Sequence, residues 1–137
     1  MWRLALQDGG EIPGINISPE VDGTADNDHP FSILHDQNGT RWVAYRAGTT
    51  DTSETCYVRE LGDGTLGTRY QVATIASSNG ECDLVQWSNG SYSMIFSASN
   101  SIYTASSWHG YITHSSNLID WTTPTQVTSD WGRMTRM

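Results

Sequence analysis

Between Glu81 and Ser99 the chain reads ECDLVQWSNGSYSMIFSAS: a partly apolar run, a polar turn, then a run whose apolar positions crowd too closely to alternate. Two short strands joined at Asn89-Gly90 fit this pattern, because Asn-Gly is the strongest short signal for a hairpin. Tyr92 to Phe96 offers apolar side chains to both sides, which predicts an inner strand covered on each face. The same pattern occurs earlier in the chain. Asn38-Gly39-Thr40-Arg41-Trp42-Val43-Ala44-Tyr45 lies over Asn89-Gly90-Ser91-Tyr92-Ser93-Met94-Ile95-Phe96 at a shift of 51, the distance from Gly39 to Gly90. Tyr57-Val58-Arg59 lies over Tyr111-Ile112-Thr113 at 54, and Gln71-Val72 over Gln126-Val127 at 55. The drift places the extra residues in the loop between second and third strands. Each unit holds four strands, starting near Phe31, Arg41, Cys56 and Arg69, and again near Asp83, Tyr92, Gly110 and Thr125.

A partial third copy opens the chain: Trp2-Arg3-Leu4-Ala5-Leu6-Gln7-Asp8-Gly9 lies over Tyr57 to Gly64 at a shift of 55. Asp8-Gly9, Asp63-Gly64 and Ser116-Asn117 are read as turns between third and fourth strands. Four antiparallel strands every 50-odd residues is the signature of a propeller blade. The expected fold is therefore all-β, one domain over 1–137. It comprises an outer half-blade at 1–19, a loop at 19–28, blade-like repeats at 28–76 and 81–129, and a terminal arm at 130–137. A β-sandwich with coincidental internal similarity is the competing reading. Closed propellers take about four to eight blades. Two and a half would leave sheet edges and faces rich in Trp and Tyr uncovered. The expectation is an incomplete propeller, completed by copies of itself, by partner proteins in a larger assembly, or by the rest of a longer protein.

Composition sharpens this reading. Only 36% of the residues are hydrophobic, so six Trp and six Tyr must supply much of the core. The formal charge of −8 argues against nucleic acid, whose phosphates need a basic footprint, and equally against an anionic membrane surface. No apolar run approaches the roughly 18 residues of a spanning helix, so no membrane insertion is expected. Trp2 to Leu6 is too short for a signal-peptide core. An extracellular or virion-surface location is favoured, reached by another route or within a larger particle. Cys56 and Cys82 match no metal spacing; they either pair in an oxidising compartment or stay as two buried thiols. His109 and His114, five apart, do not suggest zinc. Neither a metal nor a cofactor is expected, and no Gly-rich phosphate loop or nucleophile elbow is present.

Three stretches carry a family resemblance. Asp28-His29-Pro30-Phe31-Ser32-Ile33, followed by Trp42-Val43-Ala44-Tyr45, resembles the Arg-Asp-Pro strand of invertase-like and arabinanase-like furanosidases. Glu81-Cys82-Asp83-Leu84-Val85 is similar to their Glu-Cys-Pro strand. Tyr111 to Trp121, ending Ser115-Ser116-Asn117-Leu118-Ile119-Asp120-Trp121, resembles their S-x-D-L-x-x-W outer hairpin, seen in relaxed form in sialidases. The resemblance spans about Asp28 to Thr128 and implies five-bladed propellers with acidic residues facing a central funnel. Asp28 and Glu81 would then converge, one carboxyl protonating a leaving oxygen while another acts as nucleophile or base. Departures count against activity: Asn27 replaces the Arg, His29 splits the Asp-Pro pair, Asp83 stands where Pro belongs, and the first catalytic Asp has no counterpart.

Sugar binding has its own candidates, since an indole face suits the C–H face of a sugar ring. Trp42 and Trp121 read as packing. Trp87 and Trp108, beside a turn and a long loop, read as ligand-binding, and His29 and Asp83 join them as candidates. The sequence thus predicts a non-enzymatic, propeller-like structural or binding module. It would assemble with itself or within a larger particle, such as a viral or phage tail, fibre or capsid surface, and present a face to partners, glycans included. The alternative is a furanosidase-like or sialidase-like hydrolase completed by oligomerisation.

Overall fold

The computed structural model describes residues 29–47, 55–62, 66–73, 78–99 and 108–128. These form eight strands and no helix. β1 (His29–His35), β2 (Arg41–Ala47), β3 (Thr55–Leu61) and β4 (Leu66–Ala73) make one antiparallel meander. β5 (Ser78–Gln86), β6 (Tyr92–Ser99), β7 (His109–Ser115) and β8 (Thr125–Gln126) make a second of the same order. The fold is all-β, two blade-like sheets that do not close on themselves. The half-blade at 1–19, the terminal arm and the turn at Asp63-Gly64 lie outside the described residues.

The register reproduces the repeat. Tyr45 pairs with Tyr57, and Phe96 with Tyr111. Both ring pairs stack at 5.8 Å between centroids, at interplanar angles of 25° and 23°. Tyr57 pairs with Gln71, and Tyr111 with Gln126. The shifts of 51, 54 and 55 are therefore structural correspondences.

Both hairpins differ from a two-residue Asn-Gly turn. The Gly39 N–H donates to Asp36 O at 3.0 Å and the Gly90 N–H to Trp87 O at 2.9 Å, closing four-residue turns one step earlier. Only the glycines reverse their backbone, at φ +83° and +85°. A type I′ turn would also need positive φ at Asn38 and Asn89, which they lack; a type I turn ended by a left-handed Gly forms instead.

Packing between the sheets decides the architecture. Ala44, Cys56, Val58 and Val72 of the first sheet share one core with Cys82, Leu84, Met94, Phe96 and Ala98 of the second. Val43, Tyr45 and Ala47 point the other way, into a separate cluster with Tyr57 and Leu61. Applying the shift of 51, Ala44 corresponds to Ile95 and Val43 to Met94. The first sheet thus uses its Ala44 side, here called the front, while the second uses the opposite side, its back. The sheets stack front to back, with β5 lying against β1, β2 and β3. A sandwich that buried equivalent faces against each other would not show this exchange.

Candidate functional site

The front-to-back contact is tied together at its turn end by Asp36. Its Oδ1 accepts the N–H groups of Asn38 and Thr40, both at 2.9 Å, while Oδ2 accepts the Trp42 indole N–H at 3.1 Å and the Tyr92 hydroxyl at 3.4 Å. Burial pushes this carboxyl up, but the four donors outweigh it and hold it below the ordinary Asp value. Tyr92 shifts the other way: burial first, then the Asp36 charge, raise its phenol. The turns also touch. Gln37 N–H donates to Gln86 Oε1 at 2.7 Å, and Gln37 Nε2 to the Trp87 carbonyl at 3.0 Å. Deeper in the interface, Leu84 N–H donates to Ser32 Oγ at 3.4 Å. Asp36 was not among the residues singled out by sequence, although its place before Gln37-Asn38-Gly39 is a turn-initiating one.

Cys56 and Cys82 meet across this interface as free, buried thiols. Their hydrogen bond, followed by burial, pushes the Cys82 thiol well above its ordinary range, which makes it a poor nucleophile.

The front of the second sheet is the surface where a third sheet would stack. Its residues follow from the register: Asp83 and Val85 on β5, Ser93, Ile95 and Ser97 on β6, Ile112 and His114 on β7. Val127, whose N–H donates to Gly110 O, lies beside β7. Val72, its counterpart in the first sheet, is 5% exposed inside the core, whereas Val127 is 52% exposed. Trp87 and Val85 are exposed here too.

Trp87 is held rigidly on this face. Its Nε1–H donates to Ser93 Oγ at 2.6 Å, and Ser93 Oγ lies 2.7 Å from His114 Nδ1. An indole can only donate, so Ser93 accepts from Trp87 and can pass its own proton toward a neutral imidazole. Ser93 is fully buried under these groups. A serine nucleophile must be reached by substrate, so this serine–histidine contact serves to orient the indole.

Trp108, expected as a ligand partner, is buried, with its ring against Gly80. Asp83 and Glu81 are both half-buried on β5, Glu81 where the pairing shifts between Asn79 and Cys82. His29 opens β1 opposite Arg46. Asp28 lies outside the described residues, so its approach to Glu81 is not seen.

The Ser115–Trp121 segment folds on its own side chains. Ser115 Oγ accepts the N–H groups of Asn117 at 3.2 Å and Leu118 at 2.8 Å, and Asn117 Oδ1 accepts those of Ile119 and Asp120, both at 2.9 Å. The Trp121 indole donates to Leu118 O at 3.2 Å. Leu118, at φ 65°, is driven into the core with 1% exposure. Each motif position thus has a structural task here.

No family model matches the chain, and a search of curated proteins finds no similar sequence.

Proposed function

We propose that this chain is a non-catalytic, propeller-like module that works by stacking: its two sheets set a front-to-back pattern, and the exposed positions on the front of the second sheet, Val85, Trp87 and Val127, receive a further sheet. The observation that carries this reading is the contrast between Val72, buried in the internal contact, and Val127, its exposed counterpart. Apolar surface at an equivalent position is a surface shaped for the same use. Burying a valine side chain contributes roughly 1.5–3 kcal/mol, and Val85, Ile95 and Ile112 lie on the same face. Among the described residues the close Ser93–His114 contact on this face is sealed, since Ser93 is fully buried, which favours a packing role for it. The resemblance to furanosidases and sialidases is taken as one of scaffold: the hairpin motif it shares is fully occupied in holding the turn.

Turnover of aryl-furanosides and aryl-sialosides by the wild-type chain and by Glu81→Gln tests the reading. No turnover above background in either is expected. Turnover that Glu81→Gln removes would replace the module with a hydrolase.

A further inference from the structure

We infer that Cys56 and Cys82 form a redox site in the core: a small disulfide oxidant converts the pair into a cross-link that locks the two sheets front to back. The pair belongs to the contact inside the chain and is independent of what the outer face of the second sheet receives.

Three observations place it. Cys56 lies on β3 and Cys82 on β5, strands of different sheets that pack against one another. Both belong to the shared core, at 0% and 5% exposure, and their thiols are hydrogen-bonded to each other. Each also stands where its strand departs from regular pairing: the β3–β4 register shifts between Cys56 and Tyr57, and the β5–β6 register between Asn79 and Cys82. Irregular pairing of this kind re-aims a side chain, and here both thiols meet between the sheets. A single buried cysteine is a small apolar side chain, much like its neighbours Ala44 and Val58. Two in contact from separate sheets are one bond short of a covalent staple.

The hydrogen bonds at Asp36, Gln37 and Ser32 tie the sheets together toward the turns. Cys82 lies two residues beyond Leu84, where the described neighbours Val58, Phe96 and Ala98 are apolar. A covalent bond there clamps the part of the contact that those hydrogen bonds do not reach.

Oxidised glutathione serves as the oxidant in a balanced exchange. One cysteine gives up its proton and attacks a glutathione sulfur, expelling one glutathione thiolate, which takes up that proton. The other cysteine then loses its proton and attacks the protein sulfur of the mixed disulfide, and the second glutathione leaves as a thiol. Two protein S–H groups become one S–S bond, and the S–S bond of the oxidant becomes two thiols. Burial shields both cysteines in the closed fold, so the exchange runs while the sheets are apart, during folding or local opening. The bond closes a loop of 26 residues, the distance from Cys56 to Cys82. By restricting the unfolded chain, such a loop favours the folded state by roughly a hundredfold.

Equilibrating the full chain with graded mixtures of reduced and oxidised glutathione, in buffer and in urea that unfolds it, tests this. Samples are quenched with acid, and the disulfide is counted by intact mass and located by peptide mapping. The folded chain is expected to keep the Cys56–Cys82 bond in mixtures roughly a hundredfold more reducing than the unfolded chain tolerates. Its urea midpoint should rise on oxidation and return with a thiol reductant, whereas Cys56→Ala and Cys82→Ala should show no oxidant-dependent shift. A bond that forms no more readily in buffer than in urea, a midpoint that falls on oxidation, or bonds only between chains would overturn the inference. Wild type in two solvents carries the comparison, so it holds even where a variant fails to fold. Turnover of an aryl-glycoside would leave every one of these outcomes unchanged, so this site and the non-catalytic reading stand or fall separately.

Discussion

Ser93 and Ser97 sit four residues apart on one face of β6, both fully buried, yet they do different work. Ser93 Oγ serves Trp87 and His114, whereas Ser97 Oγ has no hydrogen-bond partner among the described residues. A buried hydroxyl without a partner costs free energy, and one that satisfies two neighbours does not. Ser97→Ala is therefore expected to leave stability unchanged or raise it, while Ser93→Ala should cost about 1–3 kcal/mol. Urea unfolding of the two variants side by side reads the difference; equal losses would contradict it. Asp36 makes a second prediction. Its carboxyl is held below the ordinary value in the fold and returns to it on unfolding, so the unfolded chain binds the proton more readily. The stabilisation is complete above the unfolded value, near 3.8, and drains away as pH falls through the lower folded value. Unfolding between about pH 5 and pH 2 should show wild type losing more stability than Asp36→Asn. Parallel losses would place the effect elsewhere.

At the scale of strands and turns, much was legible and the reasons can be named. Asn-Gly fixed where both hairpins fall, and the apolar crowding of Tyr92–Phe96 marked a strand covered on both sides, as β6 is. The starts of β2, β6 and β8 agree with their expected residues. β5 begins at Ser78, well before the expected Asp83; Ser78–Glu81 is polar and contains Gly80, ordinarily a poor strand former, so the early start was not legible. Gly80 is needed there: a Cβ would run into Ser97 Oγ and come within 2.9 Å of the Trp108 ring. The turn type was not legible, since Asn-Gly serves both a two-residue turn and a longer turn ended by Gly. Nothing lies within 4 Å of a Cβ added at Gly39 or Gly90, so their only requirement is the positive φ. Gly39→Ala and Gly90→Ala should each cost about 1–2 kcal/mol through backbone strain alone. Asn at either position should cost less. Thermal unfolding of the four variants checks this, and an Ala as stable as the parent Gly would contradict the turn assignment.

For the whole molecule, the shifts of 51, 54 and 55 gave the repeat but not its stacking, because internal similarity does not state which face meets which. Part of the reason is chemical substitution between copies. Trp42 donates to Asp36 across one hairpin; at the equivalent positions Ser93 accepts from Trp87, the indole having moved to the other strand. The bond endures while its residues trade places, so no alignment of residue types reveals it. The setting of Trp87 was hidden likewise: its place beside a turn marked it as a ligand-binding candidate, but the buried Ser93 and the His114 that orient it carried no motif. Front-to-back packing is the claim on which the proposed stacking role depends. Methyl–methyl nuclear Overhauser contacts in the full chain test it most directly. Cross-peaks from the Leu84 and Met94 methyls to those of Ala44 and Val58, with none to Val43, are predicted. Cross-peaks to Val43 in place of Ala44 and Val58 would mean that the sheets meet back to back, and the stacking account would fall.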